Sequence, residues 1–244
     1  MSLKLGLNLT KYHSINFDLP KRSKKKIIFI ILHYTGMRKE TRAIERLCDL
    51  KSKVSSHYFV KNNGKILNLI PDLYTAWHAG DSKWKKFKSL NNYSIGIEIS
   101  NPGHDHGYKK FSSKQILSTI TLLKFLIRKY KIKKQNILGH SDIAPNRKKD
   151  PGEKFPWSRL AKKNLCKWHN LNEYKIRKNR NLKLKIIDEK AFFSNLYKIG
   201  YSITKNKNEK INLTKAFQRR FRQNLINGKI DQECLLISKN LMKS

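Results

Sequence analysis

The chain has 244 residues, enough for one medium domain and a small second one. Its 54 lysines and arginines against 17 acids give a formal net charge of +37, which first suggests an anionic partner such as nucleic acid, a membrane surface or an acidic polymer. The lysines are scattered along the whole chain, however, and no basic run is interleaved with stacking aromatics, so no specific nucleic-acid binding is expected.

In chain order, residues 1–26 are polar and basic and read as an N-terminal extension that wraps the surface. The Lys21–Lys26 stretch followed by an apolar run imitates a signal peptide. The apolar run is too short for one, and no small-residue cleavage site follows. No stretch is long enough to span a membrane, so the expected location is the cytoplasm, with the periplasm or cell envelope as the alternative.

Residues 27–32 form a continuous apolar run, the pattern of a strand buried on both faces. Residues 40–50 have helical spacing. Residues 58–60 and 66–70 flank Asn63-Gly64, a hairpin signal. Ile95, Ile97 and Ile99 alternate with Gly96 and Glu98, so the isoleucines face one side of a strand and Gly96 and Glu98 the other. Ser112 and Gln115 fit a capping box opening a helix that runs to Tyr130, with Ile116, Ile120, Leu123 and Ile127 on its core face. Residues 136–139 read as a short strand delivering His140. Mixed strands and helices predict an α/β domain over residues 27–171, with a mixed central sheet flanked by helices.

Beyond Trp168 the composition changes. Residues 172–187 are basic, lack clear periodicity and read as a linker. Residues 188–244 carry three helical stripes: Phe192, Leu196 and Ile199, stopped by Gly200; Leu213, Phe217 and Phe221; and Cys234, Ile237 and Leu241 behind an Asp231 cap. A three-helix unit of this size is suited to binding or docking. Cys48, Cys166 and Cys234 are too far apart for a thiolate metal site, and their odd number argues against a disulfide framework.

Chemistry concentrates on His33, His140 and Asp150. Two imidazoles and a carboxylate are a common ligand set for a catalytic zinc, leaving the fourth position open to water. Taken singly, each has an ordinary structural explanation; together they predict one zinc ion. A hydrolytic zinc site needs a base near the water, and Glu98, an acid on the non-core side of an apolar strand, is the candidate. Lys148, two residues before Asp150, is placed to stabilise an oxyanion. Tyr34, Trp77 and His78 are candidate substrate-lining residues, and His57 has either that role or a structural one. His104 and His106, in a glycine-bounded loop, are expected to be exposed.

These segments resemble the zinc N-acetylmuramoyl-L-alanine amidases of the type-2 amidase family, nearest the branch that includes anhydro-muropeptide amidases. The matching runs are Ile31–Thr35, Val54–Tyr58, Ala76–Gly80, Ser94–Ile99 and His140–Gly152, continuing into Phe155-Pro156-Trp157. They keep the family order over residues 27–160. The resemblance implies zinc on His33, His140 and Asp150, with Glu98 and Lys148 as catalytic partners. It implies cleavage of the bond between the muramic-acid lactyl group and L-alanine in peptidoglycan or muropeptide fragments, in wall turnover or recycling. The tail, with Ile199-Gly200-Tyr201 and Ala216–Phe221, is similar to the three-helix peptidoglycan-binding domain. The chain is expected to act as a monomer. The alternative reading is a peptidoglycan-recognition module without catalysis, which the presence of all three ligands and Glu98 disfavours.

Overall fold

Burial on both faces sets the centre of the molecule: every residue of the second strand except its last is buried, as a parallel strand covered by helices requires. The structure, a computed structural model, describes residues 12–243. In chain order the first elements are β1 (Phe17–Asp18), β2 (Phe29–Tyr34), α1 (Glu40–Cys48), β3 (Tyr58–Val60), β4 (Ile66–Asn68) and β5 (Thr75–Ala76). They are followed by β6 (Lys83–Trp84), β7 (Phe87–Lys88), β8 (Ser94–Ile99), α2 (Ser113–Tyr130) and β9 (Ile137–Gly139). The remainder is helical: α3 (His140–Ile143), α4 (Trp157–Ala161), α5 (Glu173–Arg177), α6 (Ile186–Ile199), α7 (Lys207–Phe221) and α8 (Gln232–Lys243).

The central sheet has the order β4-β3-β8-β2-β9. β3, β8, β2 and β9 run parallel, and β4 closes one edge antiparallel to β3 through the Asn63-Gly64 turn. Strand alternation sends Ile30, Leu32, Ile95, Ile97 and Ile99 to one face, where they meet Ile116, Ile120 and Leu123 of α2 in a single cluster. The Ser112–Gln115 capping box closes in both directions, Gln115 N–H donating to Ser112 Oγ at 3.2 Å and Ser112 N–H to Gln115 Oε1 at 2.9 Å.

Phe29, Ile31 and Leu138 point to the opposite face and share a cluster with Phe192, Leu196, Phe217 and Leu241 of the C-terminal helices. The three predicted helical stripes are α6, α7 and α8, and their apolar faces pack onto the sheet as well as on one another. Each fully buried side chain of this kind contributes about 1.5–3 kcal/mol, so the shared face joins the two regions firmly.

Three parts differ from the sequence expectation. Residues 172–187 contain α5, whose Ile176 is buried in the same cluster as Phe192. The described part of the N-terminal extension is built in: β1 pairs with β5, and Ser14, Asn16 and Arg22 are buried. Asn16 Nδ2 donates to the carbonyls of Asp49 and Val54, at 2.8 and 2.9 Å. Residues 1–11 of the expected extension lie outside the described residues. Finally, β2 begins two residues later than the apolar run and extends through His33, which is therefore a strand residue.

Candidate metal centre and active-site cleft

The carboxyl ends of adjacent parallel strands form a natural crevice, and three strands contribute to it here. His33 lies near the end of β2, Glu98 is its register partner on β8, and His140 follows β9 directly. Asp150 returns to the same point at the end of the loop after α3, where its carbonyl accepts from Ser141 N–H at 2.9 Å.

His33 Nδ1 and His140 Nδ1 are 2.9 Å apart, and each is 3.0 Å from Asp150 Oδ2. The three residues are buried and form the one candidate metal-ligand group among the described residues. Their tautomers follow from their outer partners. Ser94 Oγ donates to the Leu90 carbonyl at 2.6 Å, so it accepts from His78 Nε2–H at 3.1 Å. His78 Nδ1 is then an acceptor, and His33 Nε2–H donates to it across 3.0 Å. His140 Nε2–H donates to the Ala79 carbonyl at 3.1 Å. Both ligand imidazoles thereby turn an Nδ1 lone pair towards Asp150 Oδ2. Three acceptors at mutual contact distance repel one another unless a cation sits among them, and outer donors of this kind orient metal-bound histidines. The donor set therefore fits a divalent metal.

The electrostatics agree. Burial, reinforced by His140, pushes His33 down to about 4, against the pull of Asp150. Burial and the neighbouring His33 and His57 hold His78 well below the ordinary imidazole value. Burial pushes the Asp150 carboxyl up, but His140 and His33 more than offset it and keep the group ionised. Glu98 behaves oppositely. Burial and the Asp150 charge raise it well above the ordinary carboxylate range, with Lys148 opposing. Its Oε2 is shielded from solvent without a hydrogen-bond partner among the described residues.

Gly96 explains how this packing closes. A Cβ there would lie 2.4 Å from His78 Cγ, so the ring rests directly on the strand backbone. The site-facing column of β8 is thus Ser94, Gly96 and Glu98. Ser94 orients His78, Gly96 makes room for it, and Glu98 faces the cleft.

The cleft holds about 640 Å³ and is lined by all three ligand residues, Glu98 and Lys148, together with Tyr34, Trp77 and His78. His57 is not on this wall: it is fully buried behind His78, its Nδ1 accepting from Gly96 N–H at 3.0 Å. His106 is exposed, but His104 is half-buried between the Tyr34 hydroxyl at 2.8 Å and Glu153 at 3.0 Å. Two positioning groups were not anticipated. Ser94 was detectable as the next member of the Gly96–Glu98 column. Arg147, whose guanidinium holds the carbonyls of Ala79 and Asp81, gives no local signal among so many basic residues.

A polar clamp joins the metal segment to the C-terminal helices. The Asp142 carboxylate accepts from Gly139 N–H at 2.8 Å and from the Tyr201 hydroxyl at 2.7 Å, and forms a buried salt bridge with Arg220. Arg220 also donates to the Ile137 carbonyl at 3.0 Å and stacks over Trp157.

Residues 23–153 match the N-acetylmuramoyl-L-alanine amidase family (Amidase_2). The N-acetylmuramoyl-L-alanine amidase AmiD of Escherichia coli is 34% identical over 232 residues, covering 89% of this chain and 83% of that protein. The 1,6-anhydro-N-acetylmuramyl-L-alanine amidase AmpD of the same organism is 38% identical over 108 residues, 44% of this chain and 57% of that protein. Among solved structures, AmiD of E. coli in complex with anhydro-N-acetylmuramic acid-L-Ala-D-gamma-Glu-L-Lys superposes with a TM-score of 0.79 at 32% identity, covering 93% and 92% of the two chains. AMPDH3 of Pseudomonas aeruginosa gives the same TM-score at 27% identity, covering 98% of each chain. Both matches reach beyond residues 23–153 into the C-terminal helices. The chain belongs to the N-acetylmuramoyl-L-alanine amidase family.

Proposed function

We propose that this protein is a zinc-dependent amidase that cleaves the bond between the lactyl group of N-acetylmuramic acid and L-alanine in muropeptides, with anhydro-muropeptides among its substrates. The observation that carries the reading is the meeting of two imidazole lone pairs and a carboxylate within 3.0 Å, beside a carboxyl that burial holds above its ordinary range. The substrate class is supported by the anhydro-muropeptide bound to AmiD and the anhydromuramic pentapeptide bound to AMPDH3.

His33, His140 and Asp150 would hold one zinc ion, which when bound supplies Lewis acidity towards the scissile carbonyl and the attacking water. Glu98 takes a proton from the water as it attacks, and its raised proton affinity suits it to carry that proton to the departing alanine nitrogen. Lys148 faces the same space and stabilises the negative charge that develops on the carbonyl oxygen. His78 and the Ala79 carbonyl keep both imidazoles in the ligating tautomer throughout. Tyr34 and Trp77 line the walls against which the sugar and peptide rest. In this reading residues 27–171 are the catalytic unit, and α6, α7 and α8, which begin two residues before position 188, form a peptidoglycan-binding-like unit fused to its sheet.

Mass spectrometry of purified muropeptides, with and without the 1,6-anhydro end, tests the proposal. Release of free stem peptide by the zinc-loaded protein, abolished in Glu98→Ala, is the expected result. Intact muropeptides after prolonged incubation with stoichiometric zinc would overturn it in favour of a recognition module.

A further inference from the structure

A second pocket, of about 270 Å³, lies where β6, the start of β9 and the ends of α6 and α7 meet, and it shares no lining residue with the metal cleft. Lys85, Lys134, Lys167 and Lys198 converge on it from four separate segments. Among the described residues none of the four forms an ion pair, although the protein does pair other lysines, as Lys129 with Asp72. Converging like charges without acids cost electrostatic energy, and the cost registers at Lys167. Its ammonium is pushed below the ordinary lysine value by partial burial and by the charges of Lys85, Arg220 and Lys134.

Two buried donors of lining residues also lack acceptors among the described residues. Trp84 is 3% exposed and its Nε1–H has no hydrogen-bond partner; Arg220 is 3% exposed and its Nε–H is likewise unpaired. A buried indole N–H without an acceptor leaves its desolvation uncompensated, a cost that an incoming anion would recover. The floor is apolar, made by Leu138, Ile199 and Phe221. Unneutralised lysines around the opening, with unpaired buried donors and an apolar floor beneath them, describe the complement of a small organic anion whose charge is concentrated at one end.

We propose that this pocket binds a phosphate monoester or the phosphate of an anionic headgroup, its oxygens taken by the lysines and the Trp84 indole and its organic part resting on the Leu138–Ile199 floor. Phosphate matches the donor set because several ammonium point charges can share its oxygens at once, whereas a carboxylate offers two oxygens and a single charge. The proposal is independent of the amidase chemistry and gives part of the excess basicity a specific ligand.

Calorimetric titration of the metal-loaded, full-length protein at about 0.15 M salt with glycerol 3-phosphate, and separately with phosphatidylglycerol vesicles against phosphatidylcholine vesicles, tests it. Saturable binding is expected from at least one phosphate probe, with one site per chain for the soluble ester. The Lys134→Gln/Lys167→Gln double variant should weaken it about tenfold or more, while Lys24→Gln/Lys25→Gln, in an exposed basic run that does not line the pocket, should not. Any affinity of the active-site metal for phosphate is common to all these proteins and cancels in the comparison. Trp84→Phe keeps the ring against Tyr201 but removes the N–H, and should weaken binding severalfold. Binding of the soluble ester identifies a free metabolite as the source; binding of vesicles alone, still lost in the double variant, identifies a headgroup. Equal binding by the double variant and the parent, equal affinity for succinate, or no saturable binding of either probe overturns the proposal.

Discussion

His33 and Glu98 are register partners on adjacent parallel strands, so the candidate metal ligand and the acid beside it are fixed by one set of backbone hydrogen bonds. The pairing separates their functions cleanly. Glu98 is not in the ligand group, and removing its acidity leaves the donors of His33, His140 and Asp150 in place. Glu98→Gln is therefore expected to lower kcat by roughly 10²–10⁴-fold while the zinc content of the purified protein, measured by elemental analysis, stays at the parent level. Loss of zinc alongside activity would instead place Glu98 among the ligands.

The hydrogen-bond chain from Leu90 through Ser94 and His78 to His33 predicts an effect on metal affinity from a residue that touches no metal. Gly96→Ala places a methyl group within 2.4 Å of the His78 ring and must displace it. Metal affinity is expected to fall about 10- to 100-fold, the usual consequence of losing an outer partner of a ligand histidine. Competition with a chromogenic chelator reads this directly. Unchanged affinity in a folded Gly96→Ala protein would show that the ring can move without consequence for His33.

Much of this site was legible because its signals are local. The isoleucine alternation of β8 placed Glu98 opposite the core, and the Ser112–Gln115 box located the start of α2 to the residue. The C-terminal stripes read correctly because 3.6-residue periodicity persists over several turns in each. The remainder depended on distance. β1, β5, β6 and β7 are two residues long each, too short to carry a period. Arg22 reads as one more basic residue, yet it is buried and donates to the carbonyls of Asn91 and Asp72, at 2.7 and 2.9 Å, 69 and 50 positions away. α5 was hidden in the basic 172–187 stretch because Ile176 is the one buried residue of its five.

Acid should destabilise the protein through His57. Its ring is pushed down to about 3, first by burial and then by the Arg22 charge, with the Tyr74 carbonyl and Asp72 opposing. Asp72 itself stays ionised, since its bonds from Lys129, Tyr130 and Tyr58 outweigh its burial, and the neighbouring His78 is shifted in the same direction as His57. An unfolded histidine titrates near 6.5. Between these values the unfolded chain binds more protons than the folded one, so stability is fully present above about pH 6.5 and is lost as the pH falls towards 3. For His57 alone the loss is on the order of 5 kcal/mol across that window. Urea unfolding of the metal-free protein should show it, and His57→Asn, which retains an acceptor for Gly96 N–H, should flatten the slope. An equal slope in the variant would assign the acid sensitivity to other groups.

The Asp142–Arg220 salt bridge makes the C-terminal helices part of the support of the candidate metal centre. Asp142 holds Gly139 N–H, the peptide immediately before His140, and Arg220 holds both Asp142 and the Ile137 carbonyl on the same strand. Arg220→Ala strands a buried carboxylate with only neutral donors, which costs about 3–5 kcal/mol when one member of a buried pair is removed. The variant should unfold at correspondingly lower urea, and, because the freed segment carries His140, it should also bind zinc more weakly than its stability loss alone implies. Asp142→Asn in the Arg220→Ala background separates the two effects. With the negative charge gone, most of the stability penalty should be relieved, while the link from α7 to the Ile137 carbonyl remains broken. If zinc affinity returns to the parent value together with stability, the clamp acts on folding alone; if it stays low, the helix contact itself holds His140 in place.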